Sequence, residues 1–178
     1  MMDPLLVAGR LPRLADRAMR SAIVGAVSRG RMTPRALIDD ALVRFESAAT
    51  RSFGSGVRPA LLFAERDRIV RELRGFIDGK LAVRLGALRR DQLVAAAASA
   101  APFDLIVRNR RGRTYGVLFR RLPADGRRLE VLQRVHAALK TARTPVDGVL
   151  LYDFVRSRAR LVLDESGVER VHRYLRAS

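Results

Sequence analysis

Hydrophobic positions in the first eighty residues recur at helical spacing. Between Leu11 and Arg29, Leu14, Ala18, Ala22, Ile23 and Ala26 form one stripe, and Gly30 ends the segment. Thr33-Pro34 reads as a helix start: a threonine hydroxyl accepts from free N–H groups, and proline is preset for the first turn. Ala36 to Ala49 continues with Leu37, Ala41 and Phe45, with Val43 off the main stripe. Glycine and serine mark Ser52 to Gly56 as a loop. Pro59 to Ile77 is a third helix, with Leu62, Arg66, Ile69, Leu73 and Phe76 along one side, closed by Asp78-Gly79.

Beyond residue 80 the pattern mixes periods. Leu81 to Leu85 reads as a short strand, and Asp91 to Ala100 as an alanine-rich helix stopped by Pro102. Apolar strands follow at 104–109 and 115–121, then a turn at Pro123 to Gly126, a helix from Arg128 to Ala142 and a strand from Val149 to Phe154. Arg158 to Leu163 is another strand, and Glu165 to Leu175 a final helix. Residues 104–121 are expected to form an antiparallel hairpin with Arg110-Arg111-Gly112-Arg113 at its tip, in one sheet with residues 149–154. The fold class is therefore α/β (α+β): an N-terminal helical region, then a small mixed sheet flanked by helices. The expected division is a helical extension over 1–56 and an α/β domain over 57–178.

Composition narrows the partner. The chain has 178 residues, 48% hydrophobic and 30% charged, enough for a globular domain with a helical extension. The net charge is +17, and 33 of the 35 basic residues are arginine. Base composition of the gene can favour arginine over lysine, but acidic residues could have balanced the charge. An excess of this size points to a polyanion, because the guanidinium pairs bidentately with phosphate and stacks on bases. The charge is also uneven: Arg108 to Arg128 holds eight arginines and one aspartate. Arg108, Arg110, Arg111, Arg113, Arg120, Arg121, Arg127 and Arg128 are the candidate contacts to DNA or RNA.

The chain contains no cysteine, which excludes disulfides, thiolate chemistry and a cysteine-ligated zinc. His136 and His172 match no metal spacing. No apolar run reaches membrane-spanning length, and Met1 to Ala8 is too short and too poor in charge for a signal peptide. A cytoplasmic protein with no membrane partner is expected.

Pro102-Phe103-Asp104, the apolar strand after it, and Leu118-Phe119-Arg120 on the next strand resemble the PD-(D/E)XK nuclease superfamily. That fold has a leading helix, a three-stranded meander, a crossover helix and a further strand, and the resemblance covers roughly residues 60–155. It implies that Asp104 is the metal-ligating acid, with one residue inserted between it and Pro102. Leu118-Phe119-Arg120 stands where the family has acid-x-Lys. Leu118 cannot bind metal, and Arg120 stays protonated, so it is a poor proton-transfer group. Leu118 and Arg120 share one strand face; Tyr115, Val117 and Phe119 share the other. Some members of the superfamily carry an acid or base on the adjacent helix. Glu130, near Gln133 and on the same helix as Lys140, could take that role. The resemblance thus implies a catalytic set of Asp104, Glu130 and Arg120 with Mg²⁺ or Mn²⁺ if the chain is active, and no cofactor otherwise.

Plainer readings stand beside these. Asp104 could initiate a strand, and Glu130 could favour a helix N-terminus or pair with Arg134. His136 is expected to be partly buried. Glu65 and Glu72 on the third helix could form salt bridges to Arg68, or to Arg66 and Arg71. Three function classes follow: a nuclease-like domain without catalysis that binds nucleic acid, as a subunit or recruiting module of a larger protein complex; a metal-dependent nuclease with a migrated acid; and an interaction protein whose arginine surface meets an acidic partner.

Overall fold

A computed structural model describes residues 4–54, 56–96, 102–120 and 128–177. It divides into two compact units, Met1–Gly86 and Ala87–Ser178. The boundary expected at residues 56/57 falls inside the first unit, because the third helix packs on the first two.

The first unit is helical: α1 (Pro4–Arg29), α2 (Pro34–Phe53), α3 (Pro59–Ile77) and α4 (Lys80–Gly86). Chain chemistry sets the boundaries. After α1, the Gly30 N–H reaches the Val27 carbonyl at 3.0 Å and the Arg31 N–H reaches that of Ala26 at 3.1 Å, a Schellman closure. Thr33 caps α2 by accepting from the Ala36 N–H, with Pro34 in the first turn. The helix runs through Ser52 and Phe53, so the expected loop is shorter. Phe53 is buried and holds that last turn in place. The core is built from Leu11, Met19, Ile23, Leu37, Phe45, Ile69, Leu73 and Phe76, all essentially inaccessible.

Residues 81–85 are helical, not the expected strand. A strand would align Leu81, Val83 and Leu85 on one face; instead Leu81, Ala82 and Leu85 are buried and Val83 is exposed, which is helical spacing.

The second unit opens with a 3₁₀ turn (Arg90–Gln92) and carries β1 (Leu93–Ala96), β2 (Leu105–Arg108), β3 (Thr114–Arg120), α5 (Arg128–Thr141), β4 (Gly148–Asp153), β5 (Arg158–Leu163) and α6 (Glu165–Ala177). The helix expected over Asp91–Ala100 is replaced by this turn and strand as far as residue 96. Pairing of Leu93 with Val107 and Ala96 with Leu105 overrides the helix preference of alanine. Residues 97–101 and the expected turn at 123–126 lie outside the described residues.

The strands form one mixed sheet in the order β1-β2-β3-β4-β5. β1, β2 and β3 are an antiparallel meander; β4 lies parallel to β3, and β5 antiparallel to β4. Parallel neighbours need a long crossover, and α5 is in that connection. The expected hairpin and its shared sheet with residues 149–154 are both present. The protein is thus α+β with an N-terminal helical region. Among the described residues no helix is long and apolar enough to cross a membrane.

One sheet face carries Ile106, Leu118, Val149 and Leu151, packed with Val135, Ala138 and Leu139 of α5 and Val168 of α6. Phe103 belongs to the same cluster. Its ring lies over Gly116, where a Cβ would come within 2.6 Å of the ring carbons, so only glycine fits. The opposite face presents Phe119, Tyr152 and Phe154, whose rings meet at centroid distances of 5.3 to 6.2 Å.

Candidate functional site

The strand ends separate the candidate residues into two groups. The C-terminal ends of β3 and β4 and the segment entering β2 meet at one end of the sheet. The β2–β3 turn lies at the other, about 20 Å away along the length of β3.

At the first end, burial of Phe103 against Gly116 fixes the chain just before β2. The Asp104 N–H then donates to the Val117 carbonyl at 2.9 Å. This holds the Asp104 carboxylate on the face shared by Leu118 and Arg120. Its Oδ2 accepts from the Phe119 N–H at 2.7 Å and from the Arg120 guanidinium at 2.8 Å. Arg120 also donates to the Phe119 carbonyl at 2.7 Å. The side chains are largely sheltered, 15% exposed for Asp104 and 25% for Arg120. Asp104 and Arg120 are therefore brought together as an ion pair.

Leu118 is 2% exposed and sits inside the cluster under α5, so the position of the family's second acid belongs to the core. A divalent cation needs several oxygen ligands. Here one carboxylate oxygen already holds a fixed cation and a backbone donor, and the neighbouring position is apolar. Among the described residues, Asp104 with Arg120 and Leu118 does not fit a metal of the kind the resemblance implies. Among the described residues no group of three or more histidine or acidic side chains could hold one.

Glu130 lies in the first turn of α5, and its side chain falls outside the described residues, as does that of Arg128. Gln133 and Lys140 are exposed on that helix. Arg121 and Arg127 lie outside the described residues. One acid escaped the sequence reading: Asp153, buried at the end of β4 and in register with Arg120. Its Oδ1 accepts from the Val155 N–H at 3.0 Å, and its Oδ2 lies 3.8 Å from Arg156. The visible signal was an acid closing the apolar run Val149 to Tyr152.

At the other end, the hairpin tip is built around Asn109. Its side-chain oxygen accepts from the N–H groups of Arg111 at 2.9 Å and Arg113 at 3.0 Å. Its N–H donates to the Arg113 carbonyl at 2.8 Å, its carbonyl accepts from the Gly112 N–H at 3.0 Å, and Gly112 takes a φ of +80° that turns the chain. Asp147 fastens the base of the tip: its carboxylate accepts from the Thr114 N–H at 2.6 Å, and its own N–H donates to the Thr114 carbonyl at 2.7 Å. Asn109 three residues before Gly112 is the sequence signal for the turn; Asp147, distant in sequence, reaches it only through the pairing of β3 with β4.

The arginines themselves point into solvent. Arg108, Arg110, Arg111 and Arg113 are exposed. Arg113 lies 3.2 Å from Glu165, a pair more than half exposed on both sides and hence weak. Arg108, Arg110 and Arg111 make no ion pair among the described residues. The arrangement is a hydrogen-bonded backbone turn carrying solvent-exposed arginines, of which Arg108, Arg110 and Arg111 have no acidic partner among the described residues.

Comparison with protein-family models, curated proteins and solved structures finds no match to this chain.

Proposed function

We propose that this chain is a nucleic-acid-binding protein built on a degenerate PD-(D/E)XK nuclease-like fold, acting without catalysis as a subunit or recruiting module. Its ligand is DNA or RNA. The observation that carries this reading is the division between the two ends of the sheet. One end holds Asp104 closed by Arg120 beside a buried Leu118. The other holds an arginine tip fixed by Asn109 and open to solvent.

The order of strands supports the same reading: an antiparallel meander, a crossover helix and a strand parallel to the third. Asp104 stands at the entry to β2 and Leu118-Phe119-Arg120 on β3, the places where the resemblance puts the first acid and the acid-x-Lys. Hydrolysis of a phosphodiester by such a site requires a metal-bound water and a second oxygen ligand. Arg120 neutralises Asp104, Leu118 stands where the second acid is expected, and the Asp153 carboxylate is turned to the Val155 N–H and Arg156, so binding without cleavage is the expected behaviour.

A cleavage assay on plasmid and oligonucleotide substrates with Mg²⁺ or Mn²⁺, alongside a binding measurement, tests this. The wild type is expected to bind and not to cut. Cleavage by the wild type that disappears in both Asp104→Ala and Glu130→Ala would instead establish a nuclease with a migrated acid.

A further inference from the structure

A groove of about 380 Å³ lies between α1 and α2 in the first unit, far in sequence from the arginine-rich hairpin. Helix geometry explains its lining. Arg17 and Ser21 are one turn apart on α1, while Arg44, Ser47 and Arg51 recur along one side of α2. α2 packs into the helical core through the neighbouring side, where Ala41, Phe45 and Ala49 are buried. Three arginines and two serines therefore line one groove, and no carboxylate lines it.

Some arginines of this unit find acids, Arg35 with Asp39, Arg66 with Glu46, and Arg68 with three carboxylates, while others, Arg13 and Arg74 among them, make no ion pair among the described residues. In the groove only Arg44 finds an acid, Asp40 at 2.8 Å. Arg17 and Arg51 are exposed and make no ion pair among the described residues. Like charges held together without counterions destabilise a surface unless an anion joins them. Arg44 and Arg51 are two turns apart, about 10 Å along the helix, a reach of more than one phosphate. Exposed Val43 adds an apolar wall for a sugar face.

We infer that the α1–α2 groove is a second nucleic-acid contact, in which Arg17, Arg44 and Arg51 hold consecutive phosphodiester groups and Ser21 and Ser47 donate to their oxygens. This rests on the reading of the chain as a nucleic-acid-binding protein and adds a site in the helical unit to the one on the hairpin.

The test uses the full chain and a short oligonucleotide, with affinity measured across a salt series. The variants are Arg17→Gln/Arg51→Gln, the triple Arg110→Ala/Arg111→Ala/Arg113→Ala, and Arg35→Gln as a charge control outside the groove. Glutamine is a good helix former, so the exposed substitutions leave α1 and α2 intact. The groove variant is expected to weaken binding about tenfold and to lower the log–log salt slope by about two, with the control unchanged. Wild-type affinity in the groove variant, with loss in the hairpin triple, would overturn the groove and leave the wider reading standing. Equal loss in the Arg35 control would overturn the groove as a specific site. A wild type that binds no oligonucleotide would sink both. Equal protection of Arg17 and Arg51 from modification by inorganic tripolyphosphate and by the oligonucleotide would overturn it in favour of a small-polyanion site.

Discussion

Arg68 in the first unit and Arg110 to Arg113 in the second carry the same group in opposite circumstances. Arg68 is 11% exposed and bonds to Asp16 at 2.8 Å, Glu65 at 2.7 Å, Glu72 at 3.3 Å and the Pro12 carbonyl at 3.0 Å. The tip arginines are held by their backbone, through Asn109, while their side chains stay in water. One arginine links helices α1 and α3; the others present charge to solvent. A net charge of +17 therefore mixes two populations, and only the uncompensated one speaks to function.

Burial alone would lower the Arg68 pKa, but hydrogen bonds and charges from Asp16 and Glu65 outweigh it and raise the group above its ordinary value. The guanidinium thus stays charged at any accessible pH. The sharpest way to break the comparison is to remove it. Arg68→Ala leaves three sheltered carboxylates facing one another and should cost about 3 kcal/mol, toward the lower end for buried pairs because Asp16 retains some solvent. Arg110→Ala should stay within about 0.5 kcal/mol of wild type. Denaturant midpoints of the two variants read both numbers, and similar losses would erase the distinction.

Asn109→Ala tests the other half. Removing the oxygen that accepts from Arg111 and Arg113 should cost about 1 kcal/mol. It should also weaken nucleic-acid binding severalfold, because the cations lose their fixed platform while the charge is unchanged. Wild-type affinity in this variant would mean that the tip acts through charge alone.

The smallest effect concerns α6, whose Glu165 pairs with Arg113. Asp164 caps that helix. Its Oδ1 accepts from the Gly167 N–H at 2.9 Å and the Ser166 hydroxyl at 3.0 Å, which lowers its pKa below the ordinary 3.8. A depressed aspartate contributes stability that is present above its unfolded pKa and is lost as pH falls through the folded one. The stability difference between wild type and Asp164→Ala should therefore be constant at neutral pH and shrink below about pH 4. A difference independent of pH would show that the charged form of the cap is not what matters.

Much of this was legible in the sequence where period and punctuation agree. Thr33-Pro34 located the start of α2, and two apolar runs bracketing the turn at Gly112 located the hairpin. Local signals failed where tertiary pairing decides. Leu81 to Leu85 is too short for its period to be resolved, and burial of Ala82 rather than Val83 settles it as helix. Alanines at 95 and 96 favour a helix locally but pair with β2. At the site, Asp104 and Arg120 were legible as neighbours through the family resemblance, with alternation placing Arg120 on the face of Leu118. Asp153 was not, since its register with Arg120 depends on β4 lying parallel to β3. The grouping of the arginines was also hidden: Arg113 and Arg120 are close in sequence but stand at opposite ends of β3.

The most direct test of nucleic-acid binding through uncompensated arginines is a salt titration of oligonucleotide affinity for the wild type and for Arg110→Ala/Arg111→Ala/Arg113→Ala. A steep log–log dependence is predicted for the wild type. The triple variant should bind more than about tenfold more weakly at moderate salt, with a slope lower by about three. Salt-independent or absent binding in the wild type, or equal affinity and slope in the folded variant, would contradict the account.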